Sequence, residues 1–152
     1  MTSTYLSPHF TLDELTASQT AVRRGIDNKP TIAIMRNLTR VAETLEKVRA
    51  LVGKPITISS GYRCSELNRE VGGASSSAHV LGLAADINCP GMSPKELART
   101  ILAGGIEFDQ LIYEGAGGGG WVHIGLSAGA PRNEVLTAHF GSGQVMYTRG
   151  IA

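Results

Sequence analysis

The chain has 152 residues, 42% of them hydrophobic and 18% charged, and its 14 basic and 13 acidic residues leave a formal net charge of +1. That length fits one domain with a core large enough to support a site on one side. The charge balance lacks the basic excess of a nucleic-acid binder, and no apolar run approaches the ~20 residues of a membrane span, so neither nucleic acid nor membrane is an expected partner.

The first regular element is announced by Phe10, Thr11, Leu12, Asp13, Glu14 and Leu15. Thr11 caps a helix, Glu14 closes a capping box, and Phe10 staples onto Leu15. The polar stretch 18–30 reads as irregular. A long helix is predicted over about 30–52. Ile34, Met35, Leu38, Val41, Leu45, Val48 and Val52 recur there at three- and four-residue spacing. Gly53 and Pro55 then stop it.

Residues 56–59 alternate as a strand, and 65–71 form a short helix closed by Gly72 and Gly73. Residues 83–88 alternate again, with Leu83, Ala85 and Ile87 on one face and Ala84, Asp86 and Asn88 on the other. Ser93, Pro94 and Glu96 make a second capping box that opens a helix to about Ala103. Residues 111–114 and 121–126 read as a hairpin whose tip, 115–120, is dominated by glycine. A last strand is predicted over 144–148. Helices come first and short strands later, without β-α-β alternation. The expected class is α+β, with a small antiparallel sheet and helices packed on one face.

Cys64 and Cys89 fit no zinc-ribbon or redox spacing and are expected as free thiols. Residues 1–8 offer neither a charged n-region nor an apolar h-region, so no signal peptide is expected. Synthesis in a cytoplasm follows, and any action outside requires another route of delivery.

The segment 77–86 carries the strongest chemical signal. Two ligands of one zinc each sit about 2 Å from the metal. Seven residues of helix would separate the Cα atoms of His79 and Asp86 by about 10.5 Å, too far for short side chains. A turn at Gly82 lets the chain double back, so both side chains can reach one point. Alternation after Gly82 puts Asp86 opposite Leu83, Ala85 and Ile87. The same logic applies to 121–126. Val122, Ile124 and Leu126 share one face, while Trp121, His123 and Gly125 share the other. Two strands that are apolar behind and ligand-bearing in front make a rigid metal platform. Three ligands leave a fourth position for water, as in a catalytic zinc site.

The run Ser77, His79, Gly82, Ala84 and Asp86, followed by Trp121, Val122 and His123, resembles the zinc D-Ala-D-Ala carboxypeptidase and hedgehog-like peptidase family, with small phage and bacterial peptidoglycan peptidases most alike. Ser59 to Arg63, Phe108 to Glu114, Phe10 to Leu15 and Asn68 to Gly73 are similar to segments of the same family. The resemblance spans roughly residues 8–135 and implies one zinc peptidase domain over 1–152. It also implies a hedgehog/DD-peptidase-like fold.

By this resemblance, His79, Asp86 and His123 are the ligands of one zinc per chain. Arg63 matches an arginine used at the substrate, to hold a carboxylate or carbonyl oxygen and stabilise the tetrahedral intermediate. Ser77 either hydrogen-bonds substrate or a ligand, or simply makes a turn. Several family members carry an acid three residues before the last histidine, where this chain has Gly120. Glu114 is the best substitute as general base, with Asp109, Gln110 and His139 behind it. Trp121 either shapes the substrate cleft or packs in the core. His9 has no motif partner and is expected to be structural. The 115–120 loop is either a lid or a plain hairpin tip.

The implied activity is hydrolysis of an amide in the peptidoglycan stem peptide. It would be that of a D-Ala-D-Ala carboxypeptidase or of an endopeptidase such as one cutting L-Ala-D-Glu. The setting would be a monomeric phage or prophage lysis enzyme (endolysin) released at lysis, or an enzyme carried in a virion. The alternative, kept open by Gly120, is a non-catalytic zinc-bearing module for wall binding or phage assembly.

Overall fold

Thr11 caps helix α1 (Leu12–Thr16): its hydroxyl accepts from the Glu14 amide, and the Glu14 carboxylate accepts from the Thr11 amide. Phe10 and Leu15 are both buried in the same apolar cluster, as the staple requires. The computed structural model from which these contacts are read describes residues 4–116, 119–141 and 144–152. The stretch predicted to be irregular contains a second short helix, α2 (Gln19–Arg24), capped by Ser18 and closed by Gly25 at φ 65°. It buries only Ala21, so its sequence carries no apolar stripe to betray it.

Helix α3 (Ile32–Val52) starts at the Thr31 cap and ends at Gly53, which takes the left-handed conformation. Leu38, Val41, Ala42, Leu45 and Val48 form its buried stripe. A small antiparallel pair, β1 (Tyr5–Ser7) and β2 (Phe10–Thr11), is tied to α3 through Glu46. The Glu46 carboxylate accepts from the Ser7 hydroxyl at 2.6 Å and the His9 amide at 2.6 Å, and it pairs with His9 Nδ1 at 2.7 Å. His9 is thus part of an anchor, in keeping with its expected structural role.

The main sheet has six strands. They are β3 (Thr57–Ser60), β4 (Ala84–Asn88), β5 (Gln110–Ala116), β6 (Trp121–Gly125), β7 (Glu134–Phe140) and β8 (Val145–Arg149), in the order β3-β4-β6-β5-β7-β8. The expected antiparallel sheet is a mixed one, because β5 and β7 pair in parallel. The chain leaves β6 beside the start of β5, and β7 sets out from that same end. Asp109 fixes the connection: its carbonyl accepts from the Glu134 amide, while its carboxylate holds Arg132. Strand β7 escapes sequence reading because Val135, Leu136, Ala138 and Phe140 place apolar groups on both faces.

Ala85, Ile87, Leu111, Val122 and Ile124 project from the back of the sheet into the core. They meet α3 and α5 (Pro94–Ala103), whose Leu97, Ala98 and Ile101 are fully buried. α5 opens on the Ser93 cap and Pro94, as its sequence predicts. Burying that back face leaves the front free to carry polar groups. Short helix α4 (Ser65–Glu70) and a 3-10 turn (Ala78–Leu81) connect β3 to β4. Residues 117–118 of the expected lid lie outside the described residues. Cys64 and Cys89 are free. Among the described residues no helix is long and apolar enough to cross a membrane.

Candidate metal centre

Asp86 and His123 are direct partners across the β4–β6 ladder, and both face the front of the sheet. His79 reaches them from the 3-10 turn. Ser77 caps that turn, and Gly82 closes it at φ 69°. A Cβ at Gly82 would lie 2.8 Å from the Ile34 side chain, so both conformation and space call for glycine. The doubling back inferred from Gly82 is the path the chain takes.

Asp86 Oδ1 lies 3.0 Å from His123 Nδ1 and 3.4 Å from His79 Nε2. The two imidazole rings meet edge-on with centroids 5.1 Å apart. One donor atom from each of the three residues falls within 4.8 Å of the others, and all three residues are buried. Burial pushes the Asp86 carboxyl up, but hydrogen bonds and charge from His123 and His79 outweigh it and hold the group well below the usual carboxylate range.

The support beneath His79 was not legible in the sequence. Its Nδ1 donates to the Gly61 carbonyl at 2.7 Å, which leaves Nε2 to face Asp86. Gly61 must come close to α1, because a Cβ there would run into the Leu15 carbonyl oxygen. Tyr62 donates its amide to that oxygen at 2.7 Å, and Arg63 donates its amide to the His79 carbonyl at 3.1 Å. Asn28 clamps the same segment. Its amide donates to the carbonyls of Thr16 and Tyr62, and its oxygen accepts from the Cys64 amide. Nothing in the sequence around Asn28 signals that role.

Glu114 pairs in register with Trp121, and both line a cleft of about 990 Å³ with the histidine–aspartate cluster at its floor. Trp121 Nε1 donates to Glu114 Oε2 at 3.0 Å. Burial and the charge of Asp86 raise the Glu114 pKa, against smaller lowering effects of His123, Trp121 and His79. Gly120 sits at φ 97°, and a Cβ there would collide with the Glu114 carbonyl oxygen. This backbone therefore admits no acid at that position.

Arg63 also lines the cleft. Its Nη2 donates to the Ser77 hydroxyl at 3.4 Å, and its buried Nε has no hydrogen-bond partner. Burial lowers its pKa while Asp86 and Glu114 work against that loss. Three other candidates are occupied elsewhere. Arg132 grips Asp109 through both carboxylate oxygens, Gln110 donates to Glu134 at 2.6 Å, and His139 Nε2 meets the Thr148 hydroxyl at 2.9 Å.

The sequence model of a family described as Peptidase M15 matches residues 8–125. The chain belongs to the peptidase M15 family. No curated protein matches it. M15 peptidases are zinc-dependent metallopeptidases, and the donor set of this member, two imidazole nitrogens and one carboxylate, is of the kind zinc takes. The Gly61 carbonyl behind His79 supplies the outer hydrogen bond that metal-binding histidines need. The residues present therefore fit such an ion. The M15 match ends at Gly125, so β7 and β8 lie beyond it.

Proposed function

We propose that this M15 peptidase hydrolyses an amide bond of the peptidoglycan stem peptide, using one zinc held by His79, Asp86 and His123. The observation that carries the proposal is the convergence of their donor atoms within 4.8 Å on the floor of a cleft that Glu114 also lines. Zinc in such a site supplies a Lewis acid that polarises the scissile carbonyl and eases deprotonation of water at neutral pH.

Glu114 is the general base. It takes a proton from the attacking water and passes it to the leaving amine. A pKa raised by burial suits a group that must both accept and return a proton. The bond from Trp121 Nε1 tethers one oxygen of that carboxylate. Arg63 binds a carboxylate or carbonyl oxygen of the substrate, and its unpartnered buried Nε is a donor with an acceptor still to find. Ser77 holds the guanidinium in place and caps the turn that bears His79.

The enzyme in this scheme acts as a monomer. The setting we favour is a phage or prophage wall enzyme made in the cytoplasm and acting after lysis, or one carried in a virion. Release of amino groups from purified cell walls tests the reading. New amino groups, blocked by a chelator and restored by zinc, are the expected result, with clearing of turbidity as well if the cut is an endopeptidase's. Tight wall binding with no released amino groups would make this a non-catalytic zinc-bearing module. Mass spectrometry of the fragments then separates carboxypeptidase from endopeptidase cleavage.

A further inference from the structure

The cleft crosses the strands rather than running along them, and its two ends differ in chemistry. At the β3–β4 end stand Arg63 and Ser77, a cation and a hydroxyl. Asp86, His123 and Glu114 follow on β4, β6 and β5. At the far end, on β7 and β8, stand Phe140 and Tyr147. Trp121 joins them, its ring centroid 5.8 Å from that of Phe140.

The register explains how β8 reaches the cleft. Trp121, Glu114, Ala138 and Tyr147 lie in one row across β6, β5, β7 and β8. Ala138 is the small member between Glu114 and Tyr147, so nothing tall separates them. Two strand spacings amount to about 9.6 Å, a gap that a tyrosine side chain largely spans. Burial and the Glu114 charge both push the Tyr147 phenol up, which agrees with this placement.

These rings are left bare: Phe140 is 45% and Tyr147 55% exposed. Exposed aromatic groups beside a polar cleft call for an occupant. A pyranose ring, with C–H groups on its faces, matches a wall of aromatic ring faces. A charged group is matched better at the Arg63 end.

We propose that Tyr147, with Phe140 and Trp121, forms a saccharide subsite that holds a sugar ring of the wall polymer beside the scissile amide. This rests on the peptidoglycan reading above. It assigns binding work to β7 and β8, which lie beyond the family match.

Trp121 is the chain's single tryptophan, so its fluorescence reports on occupancy of the cleft it lines, and the Tyr147 and Phe140 variants localise the signal to this wall. Zinc-loaded protein is titrated with the peptide-free wall disaccharide, which offers no stem amide to cleave. A saturable change is expected. Tyr147→Ala and Phe140→Ala should each weaken binding about tenfold, on the scale of one lost ring contact, and Tyr147→Phe should keep it. A sugar-free stem peptide should bind wild type and Tyr147→Ala alike. No saturable change with the disaccharide, or equal affinity in Tyr147→Ala, overturns the subsite even if the enzyme digests walls. Equal losses for the disaccharide and the sugar-free peptide would reassign the wall to the peptide. Absence of hydrolysis with Tyr147-dependent sugar binding would instead overturn the catalytic reading and leave the subsite standing.

Discussion

At the residue scale, a metal-binding histidine needs both ring nitrogens engaged. His79 meets this with Nε2 toward Asp86 and Nδ1 on the Gly61 carbonyl. His79→Ala should bring bound zinc close to zero by metal analysis, and full retention of zinc would refute its assignment. Gly61→Ala probes the support instead. A methyl group there meets the Leu15 carbonyl and displaces the oxygen that orients His79. Zinc affinity should fall about 10–100-fold, the usual effect of losing an outer-shell partner. A chelator competition titration measures it, and an unchanged affinity would show that the bond is incidental. The candidate ligands were legible because the family resemblance picked them out and strand alternation put Asp86 and His123 on one face. Gly61 was visible only as a motif letter, since its reason is a close approach by a helix some 45 positions earlier. Gly120 teaches the complementary lesson. With glycine there, the hairpin takes a backbone with no room for a side chain, and Glu114 brings a carboxylate to the cleft instead.

At the scale of elements, helices announce themselves by caps and stripes, and connections do not. The capping boxes at Thr11 and Ser93 and the stripe of α3 were readable. Helix α2 was not, because it buries one residue, and β7 was not, because both of its faces carry apolar groups. Two long-range anchors were equally silent. Asn28 makes three hydrogen bonds that join the end of α1 to the segment bearing Gly61 and Arg63. Asn28→Ala should cost about 2–3 kcal/mol and lower the melting temperature by about 4–12 °C for a chain of this size. No change in a calorimetric scan would mean the clamp is dispensable. Glu46 anchors β1 and β2 to α3. Burial raises its pKa, but hydrogen bonds from Ser7 and His9 outweigh this and depress it. A carboxyl depressed on folding contributes stability above its unfolded pKa and loses it as pH falls through the folded value. Glu46→Gln should therefore melt about 2–6 °C lower at pH 7. The gap should close as pH falls below the ordinary glutamate range near ~4.3. A gap that persists at low pH would show that packing, and not charge, explains the loss.

Across the whole molecule, one division of labour organises the fold. Helices α3 and α5 bury the back of the sheet, and that frees the front to present His123, Asp86 and Glu114 from three neighbouring strands. The α+β class followed from the order of elements. The mixed character of the sheet did not, since it depends on which side of β5 the returning chain takes, and Asp109 with Arg132 decides that locally. The proposed function requires that the front of this sheet perform metal-assisted amide hydrolysis. The most direct measurement compares the amino groups released from purified peptidoglycan by wild type and by Glu114→Gln, both loaded to equal zinc content. Wild type should release amino groups, and the variant should do so at a rate about 10²–10⁴ lower, the range for loss of a general base. Equal rates, or no release by the zinc-loaded wild type, would contradict the proposed function.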